Sequence, residues 1–541
     1  MNADSQSVEA LDATTVPPTL QGGRSRRARI ATLLPTAVVV LVCAGLLSWL
    51  QFSFNGMEDS DSYFHTRAAR ELDQFGIRKT FPQAVYSTWS TSYSDKDWLF
   101  HVFLIPFQRV SLKAKGAPGD HGVTEDLVTP GKWAMIPLYV LYFSALGGCL
   151  WANQARYPWL WMVLYLSIDT HVIWRLLPVR PGILAGLLLL LEIAFITRKN
   201  GPGLAVVEAL HTYSHSSFFL APMFAAASVT ANFLRREPLQ LRMLAWALAG
   251  PAAASIVHPY FPNNIGVAWE QLSGVAQYVW LGKNEIPVEL FGTELRGVDT
   301  QDFMHLALGM LPAAGGVVAF LVGRRRVSTD GLALTLIAGL LLTAGLLSYR
   351  FMDFFLPVVV VLGARLWSEL MGGESLRVLA RGDTRMFVPA AGLLTLCLTG
   401  SLAKRDVSVV HEQFAHTTMG AEYQRPAIEF LKRVARPEEI VYHNFWQDFS
   451  ILYHFRPDGR YIEALDPIFF QRFDPQLFQK SVAIMNGSAQ DVHGIIKNDF
   501  GARWVYVARN PLFVTMVESL IADSGFRKAY KDEEALIFRV E

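Results

Sequence analysis

The sequence has little of what marks a soluble or a disulfide-stabilised protein. Of its 541 residues only 3 are cysteine and 18% are charged, whereas soluble domains carry roughly 25% charged residues. Cys43, Cys149 and Cys397 all lie in apolar segments, which argues against a disulfide framework and a zinc site. The sequence also lacks a glycine-rich phosphate loop, a His-Glu-x-x-His motif and an internal repeat. These absences argue against P-loop nucleotide binding, zinc-protease chemistry and a repeat architecture.

Apolar residues, in contrast, make up 52% of the chain and are concentrated in runs of about twenty, the length that crosses a bilayer. The first run, Ile30 to Phe52, follows four arginines. A cleaved signal peptide is the alternative, but its apolar region is normally only about 7–15 residues long. The longer run favours an uncleaved signal anchor. Residues 1–29 are then predicted to be a disordered cytoplasmic tail.

Ten later runs predict an α-helical polytopic membrane protein with about eleven transmembrane helices over residues 30–403. The segment 203–234 is open to two interpretations, one long tilted helix or two short spans. The polar interruption His211-Thr-Tyr-Ser-His215 favours two short spans. The ten later runs are 133–152, 157–174, 181–198, 203–213, 217–234, 243–258, 302–323, 329–348, 352–369 and 386–403.

The distribution of Lys and Arg supports an odd number of spans. With the N-terminus inside, every predicted cytoplasmic connection carries Lys or Arg, as the positive-inside rule requires. A single span over 203–234 would place Arg324-Arg325-Arg326 outside. The odd count puts loops 53–130 and 259–301 and the tail 404–541 on the extracytoplasmic side. The lack of an organelle signal favours a bacterial inner membrane, and a net charge of +1 gives no indication of a nucleic-acid partner.

The tail 404–541 is predicted to be a soluble α/β domain. Helical periodicity runs through Tyr423–Val434. Strand-like runs follow at Glu439–Tyr442, Trp504–Ala508 and Ala535–Val540. Strands that alternate with helical stretches indicate a mixed fold.

Acidic residues cluster just after the first span. Glu58, Asp59 and Asp61 lie within four residues of one another, and their mutual repulsion makes burial costly unless a cation joins them. Such oxygen-rich clusters suit Mg²⁺ or Mn²⁺. The alternative is a solvated loop start. A second pair, Asp95 and Asp97, precedes another apolar run, and a helix N-cap is its alternative role.

The stretch Asp59-x-Asp61-x-Tyr63-Phe64-His65-x-Arg67-Ala68, placed after a long first span, resembles the GT-C superfamily of polyprenyl-phosphate-dependent glycosyltransferases. It is most like the STT3/AglB-type catalytic subunit of oligosaccharyltransferase. The resemblance implies that Asp61 is a catalytic carboxylate and metal ligand, with Asp59 beside it as a second catalytic candidate. His65, at i+4 from Asp61, is a further candidate ligand or a structural histidine.

Three other regions are similar to that family. Arg350, at the outer end of a late span, looks like the arginine that contacts the lipid-linked phosphate. Loop 259–301, with Glu285, Glu289 and Glu294, corresponds to a mobile outer loop whose glutamate completes the site. A C-terminal domain follows the last span in both.

The chain also departs from the family pattern. Where the family has Trp-Trp-Asp-Tyr-Gly, which reads the acceptor, this chain has only Trp446 and Asp448 within Asn444-Phe445-Trp446-Gln447-Asp448-Phe449. The family's second acidic motif is missing, and Asp95 and Asp97 are candidates to replace it as metal ligands.

A polyprenyl-(di)phosphate-sugar donor would require different residues to bind its phosphate and to activate the acceptor. Arg350, assisted by Arg175 and Arg180, would bind the phosphate, because a guanidinium matches phosphate oxygens. Snorkelling to the interface is the alternative role of each arginine. Asp61 would act as base or orient the acceptor, and a bound Mn²⁺ or Mg²⁺ would neutralise phosphate charge.

The predicted function is therefore transfer of a sugar or glycan from a lipid-linked donor to a protein, lipid or glycan acceptor at the outer face of the membrane. A transporter would instead place ionisable residues in the middle of spans, and the predicted span centres are almost free of charge. A non-catalytic envelope scaffold would leave the acidic cluster unexplained. His211 and His215 have the i, i+4 spacing of a helical metal site. With no carboxylate nearby in sequence, they are interpreted as lining a polar cavity.

Overall fold

The chain was analysed as a computed structural model. It describes residues 26–110, 126–277, 293–300, 303, 310–311, 313–318, 327–372, 404–413, 419–443 and 445–541. Glu285, Glu289 and Cys397, the predicted span 386–403 and most of the predicted span 302–323 lie outside these ranges.

Apolar helices dominate the N-terminal two thirds. Among the residues that the structure describes, five segments are long and apolar enough to cross a membrane: 33–52, 128–152, 216–235, 329–347 and 349–370. The helices of this part are α1 (Arg26–Phe52), α2 (Ser60–Phe75), α3 (Trp98–Arg109), α4 (Val128–Ala152), α5 (Pro158–Leu166), α6 (Thr170–Leu176), α7 (Gly182–Thr197), α8 (Gly201–Ser214), α9 (Leu220–Arg235), α10 (Leu241–Val257), α11 (Asn263–Val275), α12 (Thr329–Leu347) and α13 (Met352–Gly372).

The predicted integral membrane class is confirmed, whereas one predicted span, 157–174, is broken. The run 157–174 consists of the short helices α5 and α6, because Asp169 accepts a hydrogen bond from the backbone N–H of His171 and starts a new helix. The run 203–234 is divided into α8 and α9, as the sequence indicated. Between them His215 is extended and Ser216–Phe219 form a 3₁₀ turn.

Two carboxylates depart from the near-absence of charge at the span centres. Glu192 in α7 and Glu208 in α8 are both fully buried, on neighbouring helices that pack together. Glu192 accepts a hydrogen bond from His211, which lies 19 residues away. A carboxylate at this depth needs such a partner, and the sequence alone did not reveal it.

The C-terminal domain is an α/β fold, as predicted. Its helices are α14 (Arg425–Val434), α15 (Trp446–Phe455), α16 (Ile468–Phe473), α17 (Pro475–Met485) and α18 (Val514–Ala522), and its strands are β1 (Ile440–His443), β2 (Arg460–Tyr461), β3 (Ala502–Ala508), β4 (Phe526–Lys531) and β5 (Ala535–Val540). The sheet order is β2-β1-β3-β5-β4. β1 pairs parallel with β2 and β3, and β5 pairs antiparallel with β3 and β4. β2 and β4 were not predicted.

Helix α2 connects the two parts of the molecule. The Tyr63 hydroxyl donates to the carbonyls of Met419 and Gly420, and its ring lies edge-on to His454 of α15 at 4.9 Å between centroids. Arg67 donates to the His454 carbonyl at 2.8 Å. The aromatic and arginine positions of the sequence motif therefore hold α2 against the C-terminal domain, and the acidic residues at its start contact Arg180.

Candidate active site

A cleft of about 180 Å³ lies between the ends of the membrane helices and the C-terminal domain. Asp61 and His65 line it from α2, and Asp97 lines it from the start of α3. Trp446 and Asp466 border it from the C-terminal domain. Three predicted phosphate-binding arginines, Arg175, Arg180 and Arg350, also line it, together with Glu294.

Arg180 joins the acidic motif to the outer loop. Its guanidinium pairs with Asp59, lies 3.1 Å from Oδ2 of Asp61 and lies 3.1 Å from Oε1 of Glu294. It comes directly before Pro181, where the chain enters α7. Asp59 is the N-cap of α2, because its Oδ1 accepts from the backbone N–H of Ser62 at 2.8 Å. The other Asp59 oxygen is thereby left for Arg180.

Glu294 also forms ion pairs with the other two arginines, Arg175 and Arg350. Its carboxylate lies 2.7 Å from Nη1 of Arg175 and 3.5 Å from Nε of Arg350. Arg175 also pairs with Asp353 at 2.7 Å. Three guanidinium groups thus converge on one carboxylate, which is an arrangement that recognises an anion with several oxygens.

The charges of the cleft shift its carboxyl groups in opposite directions. Burial alone would raise the pKa of Glu294, but Arg175, Arg350 and Arg180 hold that pKa well below its usual range. Burial raises the pKa of Asp61 despite the opposing charge of Arg180. Oδ1 of Asp61 is buried and has no hydrogen-bond partner in the described part of the chain. Asp61 therefore presents a basic, unpartnered oxygen to the cleft.

The second acidic pair is divided between two roles. Asp95 accepts from Nδ1 of His101 at 2.6 Å, and Nε2 of His101 lies 2.9 Å from Nδ1 of His65. Asp97 occupies the N-cap position of α3 without a side-chain capping bond. Its Oδ1 is buried and unpartnered among the described residues. Burial raises the pKa of Asp97 to about 6.

The predicted metal ligands fit a divalent cation unequally. Asp61 and Asp97 each have one carboxylate oxygen without a hydrogen-bond partner among the described residues. His65 lines the same cleft. Asp59 and Asp95 are committed to Arg180 and His101. Within the described ranges, no three His, Cys, Asp or Glu side chains are grouped closely enough to hold a metal in this arrangement. Asp61, Asp97 and His65 have the suitable chemistry.

The two acceptor candidates of the C-terminal domain have different positions. Trp446 begins α15 at the border of the cleft. Asp448 is buried in the first turn of α15 and is not among the residues that line the cleft. Burial raises the pKa of Asp448 to about 8 and that of the nearby Glu463 to about 8.

Several polar residues of the cleft were not among the predicted site residues, among them Asp353, His171, Lys96 and Asp466. Asp353 follows Arg350 by three positions. It pairs with Arg175 and lies 3.2 Å from Nε2 of His171. His215 also lines the cleft, as expected of a residue predicted to line a polar cavity. The position of Asp353 one turn after Arg350 was a usable signal, whereas the placement of His171 and His215 depends on how separate helices pack.

Comparison with known proteins extends this picture. No protein-family model and no curated protein sequence matches the chain. Among solved structures, the apo Archaeoglobus fulgidus oligosaccharyltransferase is similar over 90% of this chain and 70% of its own, with a TM-score of 0.59 and 11% identity. The same species' AglB, in complex with an inhibitory peptide and a dolichol-phosphate, is similar over 87% and 69%, with a TM-score of 0.59 and 12% identity.

A second solved protein is similar in structure over nearly the whole length of both chains. Apo ArnT from Cupriavidus metallidurans is similar over 94% of this chain and 98% of its own, with a TM-score of 0.52 and 12% identity. At these identities the likeness concerns the fold. The fold predicted from the acidic motif is confirmed: this chain has the fold of the GT-C membrane glycosyltransferases.

Proposed function

We propose that this protein is a membrane glycosyltransferase that moves a sugar or glycan from a polyprenyl-(di)phosphate donor to an acceptor at the outer face of the membrane. The observation that carries the proposal is the convergence of Arg175, Arg180 and Arg350 on Glu294, beside the unpartnered oxygen of Asp61. An anion site and a basic carboxylate in one cleft are what this reaction requires.

The arginines serve the donor phosphate. The reaction breaks the bond between the anomeric carbon and a phosphate oxygen, so negative charge grows on the phosphate as it leaves. Guanidinium groups fixed in advance stabilise this charge more than mobile water does. The solved relatives bind such lipids, since one AglB structure holds a dolichol-phosphate and one ArnT structure holds undecaprenyl phosphate.

Asp61 serves the acceptor. The acceptor O–H or N–H gives its proton to Asp61 Oδ1 while its heteroatom bonds to the anomeric carbon, and the polyprenyl phosphate departs as an anion. Burial makes this carboxylate a stronger base than one in water. Arg180, 3.1 Å from Oδ2, fixes the direction in which Oδ1 points.

A divalent cation, Mn²⁺ or Mg²⁺, is part of the proposal. Asp61, Asp97 and His65 have the chemistry to hold it, and their side chains would have to approach one another, since in the described residues they do not form a metal-binding group. When bound, it would supply positive charge to the donor phosphate. Asp59 and Asp95, named as candidates from the sequence, would act instead by orienting Arg180 and His101.

The remaining assignments follow from the orientation inferred from the sequence. The N-terminus would be cytoplasmic and the cleft extracytoplasmic, in a bacterial inner membrane. The partners would be the lipid-linked donor, the surrounding membrane lipids and a protein, lipid or glycan acceptor. Trp446 at the cleft border and the outer loop, with Glu285, Glu289 and Glu294, would contact the acceptor.

The test uses the purified full-length protein in detergent or nanodiscs with a lipid-linked sugar and Mn²⁺. We expect Asp61→Asn and Arg350→Ala to lower the transfer rate at least about 100-fold, as the loss of a catalytic base or a phosphate contact does. Asp73→Asn, in an ion pair with Arg109 away from the cleft, is the matched control. Wild-type transfer by Asp61→Asn would refute the role of Asp61. Substrate flux into vesicles without any transfer would favour a transporter.

A further inference from the structure

His215 lies where the chain passes from α8 to α9, and its side chain lines the cleft. It is extended, as both the C-cap of α8 and the N-cap of the following 3₁₀ turn. Its ring lies 6.3 Å from that of Phe354, one turn after Arg350, which places it on the arginine side of the cleft. The sequence interpretation, a residue that lines a polar cavity, agrees with this position.

A chain of hydrogen bonds connects His215 to a carboxylate inside the membrane helices. Nδ1 of His215 lies 2.7 Å from Oγ of Ser217, and the same Oγ lies 2.8 Å from Nε2 of His211. Nδ1 of His211 lies 2.6 Å from Oε1 of Glu192. Glu192 and His211 are fully buried, and Ser217 is nearly so.

These contacts determine which nitrogen of His215 carries the proton. The backbone N–H of Ser217 donates to Nδ1 of His215 at 3.1 Å, so Nδ1 is an acceptor and carries no hydrogen. Burial and the charge of Arg350 hold the pKa of His215 well below its usual range. The ring is therefore neutral, and a neutral imidazole has one N–H. That hydrogen is on Nε2, at the opposite edge of the ring from Ser217.

The other residues of the hydrogen-bond chain are oriented by the same network. A carboxylate cannot donate, so Nδ1 of His211 donates to Glu192, as is usual for a histidine oriented by a carboxylate. Because Nδ1 of His215 carries no hydrogen, Oγ of Ser217 cannot accept from it, and its single hydroxyl hydrogen donates to Nδ1 of His215 or to Nε2 of His211. Glu208 is buried one turn before His211, and both of its carboxyl oxygens are unpartnered in the described part of the chain.

We infer that His215 is a further donor-binding residue, whose Nε2–H hydrogen-bonds a phosphate oxygen of the polyprenyl-phosphate donor, and that Glu192, His211 and Ser217 are positioning residues that fix its orientation. This inference rests on the proposed function. It adds a neutral hydrogen-bond donor to the three arginines, and this group approaches the phosphate from the side of α8 and α9. A neutral hydrogen-bond donor contributes a directed bond without adding a further positive charge to a crowded site.

The test measures binding of undecaprenyl phosphate, with undecaprenol as the phosphate-free probe, to the full-length protein in nanodiscs. We expect His215→Ala to weaken binding of undecaprenyl phosphate about tenfold, the effect of one hydrogen bond to a charged group. Binding of undecaprenol should stay unchanged. His215→Gln, whose amide N–H lies near the position of Nε2, should recover most of the affinity, whereas His215→Asn should not.

The positioning residues are tested in the same assay. Glu192→Gln should weaken undecaprenyl phosphate binding about threefold, and it should have no further effect when His215 is already alanine. His493→Ala, in the C-terminal domain and away from the cleft, is the control. A general packing defect would instead weaken both lipids equally, which would overturn the inference.

Two outcomes separate this inference from the proposed function. Unchanged phosphate binding by His215→Ala, with weakened binding by Arg350→Ala, overturns the inference alone. Failure of the wild-type protein to bind undecaprenyl phosphate, together with failure to transfer sugar, overturns the proposed function and this inference with it. Where His215→Ala does not fold, the contrast between the Gln and Asn variants decides the question.

Discussion

Nη2 of Arg180 lies 3.1 Å from Oδ2 of Asp61. The same guanidinium also reaches Asp59 and Glu294, so one arginine supports the proposed base and faces the proposed phosphate site. A guanidinium can do this because its donors diverge in a rigid plane, whereas an ammonium has no such plane.

Arg180→Lys keeps the charge but loses this geometry. We expect transfer to fall by about 10- to 100-fold, because Asp61 loses its orientation and the phosphate loses a planar contact. Steady-state kinetics with the lipid-linked donor measure the change. Arg109→Lys, at an exposed ion pair with Asp73, should leave the rate unchanged. Equal activities of the two variants would show that the charge of Arg180 suffices.

Glu294→Gln should make phosphate binding tighter. The Glu294 carboxylate now occupies the three arginines, and a donor phosphate must displace or share it. Because the Glu294 carboxylate and the phosphate are both negative, removal of the Glu294 charge removes a nearby repulsion. The Kd for undecaprenyl phosphate should therefore fall by roughly three- to tenfold. Glu429→Gln, in the pair with Lys432, is the control. Weaker binding by Glu294→Gln would mean that Glu294 organises the arginines rather than competing for them.

Asp97→Asn should raise the Mn²⁺ concentration that the protein needs for transfer. If Asp97 shares a cation with Asp61, loss of its charge should raise the Mn²⁺ concentration for half-maximal transfer about tenfold. The measurement is a Mn²⁺ titration after removal of bound metal with a chelator. Asp126→Asn, which caps the start of α4, serves for comparison. Full activity of chelator-treated wild-type protein would contradict the metal assignment.

Asp448→Asn should stabilise the protein at high pH. The folded pKa of Asp448 is about 8 because of burial, and the unfolded value is about 4. The folded state therefore binds more protons than the unfolded state between these values, and stability falls as pH rises through this window. The asparagine variant avoids this loss.

We expect the Tm of Asp448→Asn to exceed that of the wild type by a few degrees at pH 9, since 1 kcal/mol shifts Tm by roughly 2–4 °C in a domain of this size class. The difference should nearly vanish at pH 4.5. Asp458→Asn provides the comparison, because the Asp458 side chain is exposed. A Tm difference independent of pH would show that Asp448 is already ionised in the fold or that the variant acts through packing.

The sequence predicted those features that are local in the chain. Asp61 and Arg350, which line the cleft, were predicted as site residues from a motif and from a span end. The elements α14, β1, β3 and β5 were predicted from their periodicity. The short strand β2 was missed, since two residues carry no periodicity. α5 and α6 were merged, since the cap at Asp169 lies within an apolar run.

The relationships that could not be predicted join residues from different helices. The contact between Glu192 and His211 depends on α7 lying beside α8. The contact between Arg175 and Asp353 joins positions 178 residues apart. Sequence proximity suggested that His211 had no carboxylate partner, and the packing supplied one. A single chain shows which residues are polar, but pairing between spans follows from tertiary structure.

The position of α2 between the two parts of the molecule has a consequence for biosynthesis. Asp61 is made early, yet Tyr63 and Arg67 on the same helix contact His454, which emerges 391 residues after Tyr63. Until α15 is translated and folded, α2 lacks the packing surface that α15 provides. A ribosome-bound intermediate with all of its early spans inserted would therefore have the proposed base on a helix that is not yet held in place.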